Sequence, residues 1–384
     1  MRVLVISSRF PWPSHTGDRL RASIWLSALA PHAHVALVAP PGEIPAGAGT
    51  FDFYPAARSF LRGVRGALAI LWRGLPQQSL LAAPYDWDAA IASAQHDLGG
   101  FDTTIVLLAR ADPWVRASLH GGMKIIDAID SLRRNAEERG NAASPITRWF
   151  WRGEERRLAR AEAALSRAYD RILVVNADEA SDLGSSVAVV ENSVCVRPLD
   201  LDAPRPFDFG FWGRLGYFAN ADAARWLIDE IWPAILARNP SATCVIAGAD
   251  APRSMRRAAE RRGIALISPV DDMPTLARSV RVAILPVRYG SGQSSKVLEA
   301  GEAGCAIVAT RPVMRGLAPL LPHVRIANDV SSLADTATEL LASDTRKATT
   351  ALRRIISANH SRERIFEQLA SIAGIRASEE AVTA

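Results

Sequence analysis

The sequence predicts an α/β protein built from two doubly wound, Rossmann-like domains that face each other across a cleft. Three observations support this fold class. Short aliphatic, β-branched runs alternate with longer segments of helical periodicity, which is typical of a parallel sheet covered by helices on both faces. A proline-rich break divides this alternation into two series. The length of 384 residues suits two domains better than one.

The first series predicts a domain over residues 1–194. Its predicted strands cover residues 2–7, 34–40, 103–108, 123–129, 171–176 and 187–192. Between them, residues 17–32 and 148–169 have the spacing of amphipathic helices. Crossover helices between near-continuous apolar strands predict a parallel sheet.

The second series begins after residues 195–208, which contain three prolines without periodicity and are predicted to be a linker. Its predicted strands cover 209–213, 242–248, 264–268, 280–287, 305–310 and 324–328, and two helices follow around 331–342 and 344–357. We expect a second domain over 209–375, whose last helix could also pack back on the first domain, and a flexible tail over 376–384. In such folds ligands bind beyond the carboxyl ends of the strands.

Composition excludes several classes of protein. No uncharged apolar run reaches about 18 residues, so no transmembrane helix is expected. The N-terminal apolar run is too short for a secretory signal and fits a first buried strand. Cys195, Cys244 and Cys305 lie far apart and in no metal-binding spacing, which predicts a cytoplasmic protein with free thiols. The net charge of +5 is modest, and no nucleic-acid motif is present.

Residues 286–310, "PVRYGSGQSSKVLEAGEAGCAIVAT", carry the strongest functional signal. Gly290 and Gly292 allow a tight turn that lets the backbone approach a ligand. A helix that starts after such a loop offers unpaired amides and the positive end of its dipole to an anion. Lys296 could reach a diphosphate, and Glu299 could accept the hydroxyls of a ribose. A capped surface helix with a Lys–Glu pair is the alternative.

This stretch resembles the donor-binding segment of glycosyltransferase family 4, a group of enzymes with the GT-B fold. The shared pattern is R-x-G-S-G, then K-x-L-E-A, then small residues and a strand. Further segments are similar to the family in the same order, at 7–21, 210–235 and 267–286, and residues 125–140 with 151–183 resemble a subgroup that acts in exopolysaccharide assembly. The resemblance spans roughly residues 2–370.

The resemblance implies that the second domain binds a nucleotide-diphospho-sugar and the first domain binds the acceptor. Glu299 would hold the ribose, Lys296 or Arg214 would neutralise the diphosphate, and backbone amides of the 292–294 loop would cap its oxygens. The implied donor-binding residues are Gly17, Asn220, Val270, Asp271, Gly290, Ser291, Gly292, Gln293, Ser294 and Glu299. The implied catalytic residues are Asp130, Arg214 and Lys296, and the implied acceptor-side residues are Arg110 and Asp127.

The sequence departs from the family pattern at three places. Ser291 stands where the family has an acid near the donor sugar, so sugar recognition must differ. Ala219 and Asn220 stand where a second phosphate-binding Lys is expected. Asp130 occupies roughly the place of the family's active-site His.

Several candidates also have simpler interpretations. Asp130 or Ser131 could cap a helix rather than take part in the reaction, and Arg110 contacts a ligand only if its strand ends in the cleft. A set of alternating charges in residues 154–167 has the spacing of a solvated, ion-paired helix: Glu154, Glu155 and Glu162 with Arg156, Arg157, Arg160 and Arg167.

The segment 58–73 has two interpretations. It contains four arginines among large apolar residues, and no acid lies between Asp52 and Asp86. It could be a buried helix with its arginines outside, or an interfacial helix in contact with an anionic membrane.

Together these observations predict a retaining, metal-independent glycosyltransferase that needs no cofactor and acts on a glycan, lipid-linked or small-molecule acceptor in polysaccharide or glycoconjugate biosynthesis. No Asp-x-Asp metal clamp is evident. We expect it in the cytoplasm, at or near the inner face of the membrane, with no nucleic-acid partner. The alternatives are a non-catalytic partner of another transferase and a nucleotide-sugar epimerase of the same fold.

Overall fold

The computed structural model describes residues 1–14, 16–183, 186–200, 202–289 and 293–375. The chain divides into two compact units. The first unit contains Met1–Glu191 and the segment that begins at Glu363, and the second unit contains Asn192–Arg362. Among the helices of these residues, none is both long enough and apolar enough to cross a membrane.

The strands of the first unit are β1 (Arg2–Ser7), β2 (His34–Ala39), β3 (Asp52–Pro55), β4 (Thr103–Leu107), β5 (Met123–Ile129), β6 (Arg171–Val174) and β7 (Val187–Val189). Its helices are α1 (Gly17–Leu29), α2 (Phe60–Arg73), α3 (Trp87–Leu98), α4 (Asp112–Val115), α5 (Leu132–Ala142), α6 (Pro145–Ala168) and α7 (Ala177–Leu183). The strands of the second unit are β8 (Phe207–Trp212), β9 (Cys244–Ala247), β10 (Ala265–Ile267), β11 (Val280–Leu285), β12 (Ala306–Ala309) and β13 (Arg325–Ile326). Its helices are α8 (Phe218–Trp226), α9 (Trp232–Arg238), α10 (Arg253–Arg261), α11 (Met273–Arg278), α12 (Ser295–Glu302), α13 (Val330–Ala342) and α14 (Arg346–His360), and the last helix of the chain is α15 (Arg362–Ile372).

The first sheet is parallel throughout, in the order β3-β2-β1-β4-β5-β6-β7. Alternate residues of its strands enter two separate cores, because successive side chains of a strand point to opposite faces. Leu4 and Ile6 pack with residues of α3, α6 and α7, while Val3 and Val5 pack with residues of α1 and α15. The last helix therefore belongs to the first unit, on the same face of the sheet as α1.

The second sheet is also parallel, in the order β10-β9-β8-β11-β12-β13. Counted from the first strand of this unit, the order is 3-2-1-4-5-6, which is the order of dinucleotide-binding domains. Phe209, Phe211 and Trp232 are fully buried in its core. The strand order reverses between β8 and β11, because the chain continues from β8 to β9 and β10 on one side and later to β11, β12 and β13 on the other side. In such sheets a crevice forms at the carboxyl ends of the two strands where the order reverses.

The prediction of two α/β units, each with a parallel sheet and helices, is confirmed. Strand β3 was not expected from the sequence. It is a short edge strand that contains an Asp and a Pro, two residue types that are rare in strands. The division of the chain lies after Glu191 rather than after residue 194, and β8 begins at Phe207, inside the predicted linker. The predicted tail over 376–384 lies outside the described residues.

Candidate functional site

The carboxyl edge of the second sheet brings together residues from β8, α8 and α12. Gly213 follows β8 directly and has a φ of +147°, a conformation that favours glycine. A Cβ atom at this position would lie 2.8 Å from Cε of Lys296 and 2.9 Å from Nδ2 of Asn220. The Lys296 side chain therefore extends from the first turn of α12 across the end of β8, through the space that the missing side chain leaves.

Backbone packing keeps this edge of the sheet tight. A Cβ atom on Gly248, at the end of the neighbouring strand β9, would lie 1.8 Å from the carbonyl oxygen of Gly213. A side chain at position 248 would thus collide with backbone, which has no freedom to rotate away. The two glycines allow the loops after β8 and β9 to pack directly on each other.

Glu299 lies one helical turn after Lys296 and is held by a tryptophan of β8. The indole N–H of Trp212 donates to Oε2 of Glu299 at 2.8 Å, and Trp212 is almost completely buried. A buried indole needs an acceptor for its N–H. A hydrogen bond to a carboxylate contributes about 1.5–3 kcal/mol, so this contact fixes the rotamer of Glu299.

Burial lowers the pKa of the Lys296 ammonium below its ordinary 10.5, and the negative charge of Glu299 partly opposes this shift. A cation whose charged form is disfavoured in the free protein gains more from a bound anion than a fully solvated cation does. The side chain is therefore suited to an anionic ligand at the end of β8.

Arg214 lies on the outer side of the same edge. Its Nε is 2.6 Å from Oδ2 of Asp250, and about half of each side chain is exposed. Exposed ion pairs contribute little to stability, so an anionic ligand could replace Asp250 at small cost. Asn220, predicted from the sequence to bind the donor, donates from Nδ2 to the carbonyl oxygen of Arg214 at 3.0 Å and is buried. We assign Asn220 a role in shaping the loop after β8.

The residues on both sides of the loop that precedes α12 are held by side-chain contacts. The guanidinium of Arg288 makes two hydrogen bonds to the Asp222 carboxylate, at 2.6 and 2.9 Å, and lies 4.7 Å from the ring centroid of Trp226 in α8. The side chain of Gln293 accepts from the backbone N–H of Asn192 at 2.8 Å and donates to the carbonyl oxygen of residue 316 at 3.2 Å. Gln293 therefore anchors the loop with its side chain.

Three predicted donor-binding residues, Gly290, Ser291 and Gly292, lie outside the described residues. Ser294 is the residue before α12 and has an extended backbone, without a capping hydrogen bond from its side chain. Val270 packs against the core of the second unit, and Asp271 is exposed in the turn between β10 and α11. The structure thus places Val270 and Asp271 in a loop beyond the carboxyl end of β10.

The first unit contains a buried ion pair that sequence patterns did not reveal. Asp127 of β5 is fully buried, and its Oδ2 accepts from Nε of Arg21 and from the indole N–H of Trp25, both at 2.7 Å. Its Oδ1 accepts from the backbone N–H of Ile129 at 3.1 Å. Predicted to contact the acceptor, Asp127 instead connects α1 to the sheet, and its surroundings favour a structural role.

A second polar cluster lies near the carboxyl ends of β1, β4 and β5. Asp18 is 3.0 Å from NH1 of Arg9 and 3.4 Å from NH2 of Arg110. Burial would raise the pKa of Asp18, but the hydroxyl of Thr16 and these two guanidinium groups hold it below its ordinary value. Burial lowers the pKa of Arg110, which also interacts electrostatically with Asp130.

Gly17 and Asp130 both lie at the ends of elements of the first unit. Gly17 is the first residue of α1, and a Cβ atom there would have no neighbour within 4 Å, so packing does not demand a glycine. Asp130 is half-buried and directly follows Ile129, whose φ of +66° is strained for a β-branched residue.

Part of the second unit is similar to a known protein family. Residues 206–343 match the model of the family "Glycosyl transferases group 1". The match covers most of the second unit and less than half of the chain. The matched range contains β8, α8 and α12, and with them Arg214, Lys296 and Glu299. The predicted enzyme class, a glycosyltransferase, is confirmed by this match.

Solved structures share the fold of the whole chain. Sucrose-phosphate synthase from Thermosynechococcus elongatus superposes with a TM-score of 0.72 at 14% identity, over 97% of this chain and 98% of that chain. HepE from Anabaena, in complex with UDP-glucose, gives a TM-score of 0.65 at 13% identity over 97% and 99%. Trehalose 6-phosphate synthase from Burkholderia multivorans gives 0.64 at 14% over 97% and 99%. At this identity the likeness shows the GT-B fold alone. No curated protein matches the sequence.

Two site features of the second unit were not predicted from the sequence. Trp212 and Gly213 lie inside a segment that resembles the family, yet nothing in a single sequence pairs them with Glu299 and Lys296, more than 80 residues away. The available signal was chemical, because a tryptophan at the end of a buried strand must place its N–H on an acceptor.

The prediction of a solvated, ion-paired face on α6 was wrong for two of its glutamates, although Arg156 and Arg160 are exposed. Glu154 and Glu162 are 1% and 4% exposed. Glu162 accepts from the backbone N–H of Arg133 and from the hydroxyl of Ser131, each at 3.0 Å, so it caps the start of α5. Glu154 accepts from the backbone N–H of Gln77 at 2.6 Å. Burial raises the pKa of both carboxyl groups, and these hydrogen bonds oppose the shift.

Proposed function

We propose that the protein transfers a sugar from a nucleotide-diphospho-sugar to a hydroxyl group of a glycan, lipid-linked or small-molecule acceptor, with retention of the anomeric configuration and without a metal ion. The single observation that carries the proposal is the meeting of α12 with the end of β8, where Lys296 lies beside Gly213 and Glu299 accepts from Trp212, at the point where the strand order of the second sheet reverses. Ligands of doubly wound domains bind at this point. The family resemblance supports retention and a role in polysaccharide or glycoconjugate biosynthesis at the cytoplasmic face of a membrane.

The donor would lie with its diphosphate over Gly213 and its ribose against Glu299. Lys296 supplies a cation that is already in place at the end of β8, and Arg214 supplies a second cation from the exposed side. A carboxylate has about four acceptor sites, and Trp212 uses one of them, so Glu299 can accept both hydroxyls of a ribose. HepE, which has the same fold, is in complex with UDP-glucose, and a uridine donor is therefore the first to test.

The chemistry would depend on charge that grows on the departing diphosphate. As the glycosidic bond to the diphosphate breaks, negative charge accumulates on the bridging oxygen and its phosphate. Cations held in advance around that position stabilise the transition state more than the ground state. Lys296 fits this function because burial already disfavours its isolated charge. The acceptor would be bound by the first unit, where Arg9, Asp18 and Arg110 form a polar cluster.

Thermal stabilisation by UDP, GDP, ADP, TDP and their sugar conjugates tests the donor site. Saturation to about 100 times Kd adds about 2.7 kcal/mol of stability, which corresponds to a rise in Tm of roughly 5–10 °C for a unit of this size. Glu299→Gln keeps the shape of the side chain but removes its charge, and we expect it to reduce this shift strongly. The matched control is Glu339→Gln, since Glu339 is an exposed residue of α13 paired with Arg325.

The same experiment separates the proposed transferase from its alternatives. No shift with any nucleotide, or an equal loss in the Glu339→Gln control, would contradict the proposed site and favour a non-catalytic partner of another transferase. Conversion of the sugar nucleotide in the absence of any acceptor would favour the epimerase instead. Release of free nucleoside diphosphate that depends on added acceptor is the result expected of the transferase.

A further inference from the structure

Helix α2 of the first unit presents a row of large apolar side chains to solvent. Phe60 is 85% exposed and Trp72 is 89% exposed, while Leu61, Leu68 and Leu71 are each more than half exposed. At 100° per residue these five positions fall within about 120° of the helix circumference, so they form one continuous stripe. Over twelve residues the stripe extends roughly 18 Å along the helix axis. Such a concentration of exposed aromatic and aliphatic groups marks an interaction surface.

The opposite face of α2 is already packed on the first unit. Gly66 is buried, and a Cβ atom there would lie 2.4 Å from Cβ of Ala83, while Ile70 is buried beside it on the same face. The helix also has defined ends, because Ser59 caps its start and Gly74 ends it in a left-handed conformation. The exposed stripe therefore lies on the side of α2 that faces away from the first unit.

More exposed apolar groups belong to the elements on which α2 packs. Leu81, at the end of the short 3₁₀ turn Gln77–Leu81, is half exposed. The same turn is held by α6, because Glu154 accepts from the backbone N–H of Gln77. At the start of α6, Ile146 and Trp149 are 81% and 74% exposed. Both α2 and α6 contact the turn Gln77–Leu81, and both carry exposed apolar side chains.

The charges around the stripe select among the partners that an apolar surface could bind. No acid occurs between Asp52 and Asp86, whereas Arg65 and Arg73 are exposed on α2. At 100° per residue Arg65 falls about 20° beyond Trp72, at the edge of the stripe, whereas Arg73 falls about 100° beyond Trp72, toward the Gly66 side, in the exposed last turn of the helix. Arg62, which lies between Arg65 and the Gly66 face on the helix circumference, is paired with Asp86 at 2.7 Å. Arginines beside an aromatic and aliphatic face are typical of a helix that lies in the interface of an anionic membrane.

From this arrangement we propose that α2 docks the first unit on an anionic lipid bilayer, with Phe60, Leu68 and Trp72 in the headgroup region and Arg65 and Arg73 on the acidic phosphates. A second copy of the chain is a poorer occupant. A two-fold contact through the stripe would bring the α2 arginines of the two copies close together, and α2 contains no acid to compensate their charge. The proposal concerns a surface of the first unit and does not depend on the nucleotide site.

Co-sedimentation with vesicles tests this surface directly. Vesicles of phosphatidylcholine with about one third phosphatidylglycerol should bind the protein, and pure phosphatidylcholine should bind it much less. Each arginine near an anionic surface contributes roughly a fivefold increase in partitioning. We therefore expect Arg65→Gln with Arg73→Gln to lower partitioning about 25-fold at low salt. Phe60→Ser with Trp72→Ser should lower it at every salt concentration, because the apolar contribution is not screened.

The matched control removes two exposed charges from another part of the chain. Lys347→Gln with Arg354→Gln, on α14 of the second unit, changes the net charge by the same amount. A loss of binding in this control equal to that of the α2 arginine variant would show general attraction to a basic protein and overturn the proposal. Absence of binding to anionic vesicles would also overturn it, as would a dimer in light scattering that Phe60→Ser with Trp72→Ser dissociates. The changed residues are exposed, so unchanged circular dichroism and Tm should accompany every variant.

Discussion

Asp127→Asn distinguishes a structural role of this residue from the acceptor-side role that the sequence predicts. The substitution keeps the shape of the side chain but leaves the Arg21 guanidinium buried without its counter-charge. At 2.7 Å and an effective dielectric constant of about 20, the lost attraction is about 6 kcal/mol. The amide can keep part of the hydrogen bonding with Arg21, Trp25 and Ile129. Removal of one partner from a buried pair typically costs 3–5 kcal/mol, and we expect a loss of about this size.

Hydrogen exchange is the suitable assay, because a chain of two units need not unfold in one step. Amides of β1 and β5 should lose protection by about 3–5 kcal/mol in Asp127→Asn, while those of β8 and β9 in the second unit serve as an internal reference. The matched control is Asp335→Asn, which removes an Arg–Asp pair of similar length whose Asp is 59% exposed, and which should change protection little. Unchanged protection of the first sheet, together with loss of transfer to the acceptor, would refute the structural role.

Two further outcomes follow from the geometry around Gly213. UDP should bind with its highest affinity below the lowered pKa of Lys296, and the affinity should fall as the pH rises through that pKa, whereas the Lys296→Arg variant should stay charged and keep its affinity. Isothermal titration calorimetry between pH 7 and 10 measures both affinities. If the affinities of the two proteins changed with pH in parallel, Lys296 would be excluded as the titrating group. Gly213→Ala should abolish UDP binding, because the new Cβ atom would displace Lys296. The control Gly263→Ala, at a positive φ with no neighbour within 4 Å, should lower the free energy of unfolding but leave UDP affinity unchanged. Equal effects of the two substitutions on UDP affinity would mean that backbone strain alone is responsible.

The architecture was readable from the sequence because it depends on patterns of many residues. Each of the two series contains six predicted apolar strands separated by helical spacing, and each repetition is an independent sign of a parallel sheet. The order of the motifs likewise identified the segment that contains Lys296 and Glu299. Strand β3 was missed because an edge strand of four residues with an Asp and a Pro has too little pattern to detect.

The hydrogen-bond and ion-pair partners of individual charged side chains could not be predicted from the sequence pattern. Glu162 has the sequence spacing of a surface residue, yet tertiary packing turns it toward the start of α5. Asp127 lies at a strand end, where a ligand contact and a buried ion pair give the same local pattern, and only the position of Arg21 on α1 separates them. A buried charge is satisfied by groups that are distant in sequence, so its role depends on three-dimensional contacts that periodicity does not encode.

The two cations at the edge of the second sheet are held in opposite ways, and this difference divides their functions. Arg214 is exposed and already paired with Asp250, so a diphosphate would exchange one carboxylate for another anion at little net gain. Lys296 has a pKa lowered by burial, and its nearby carboxylate, Glu299, is held by Trp212. An anion over Gly213 would therefore relieve an existing electrostatic cost. Because that relief grows with the charge on the anion, Lys296 is the residue better suited to favour the departing diphosphate over the intact donor.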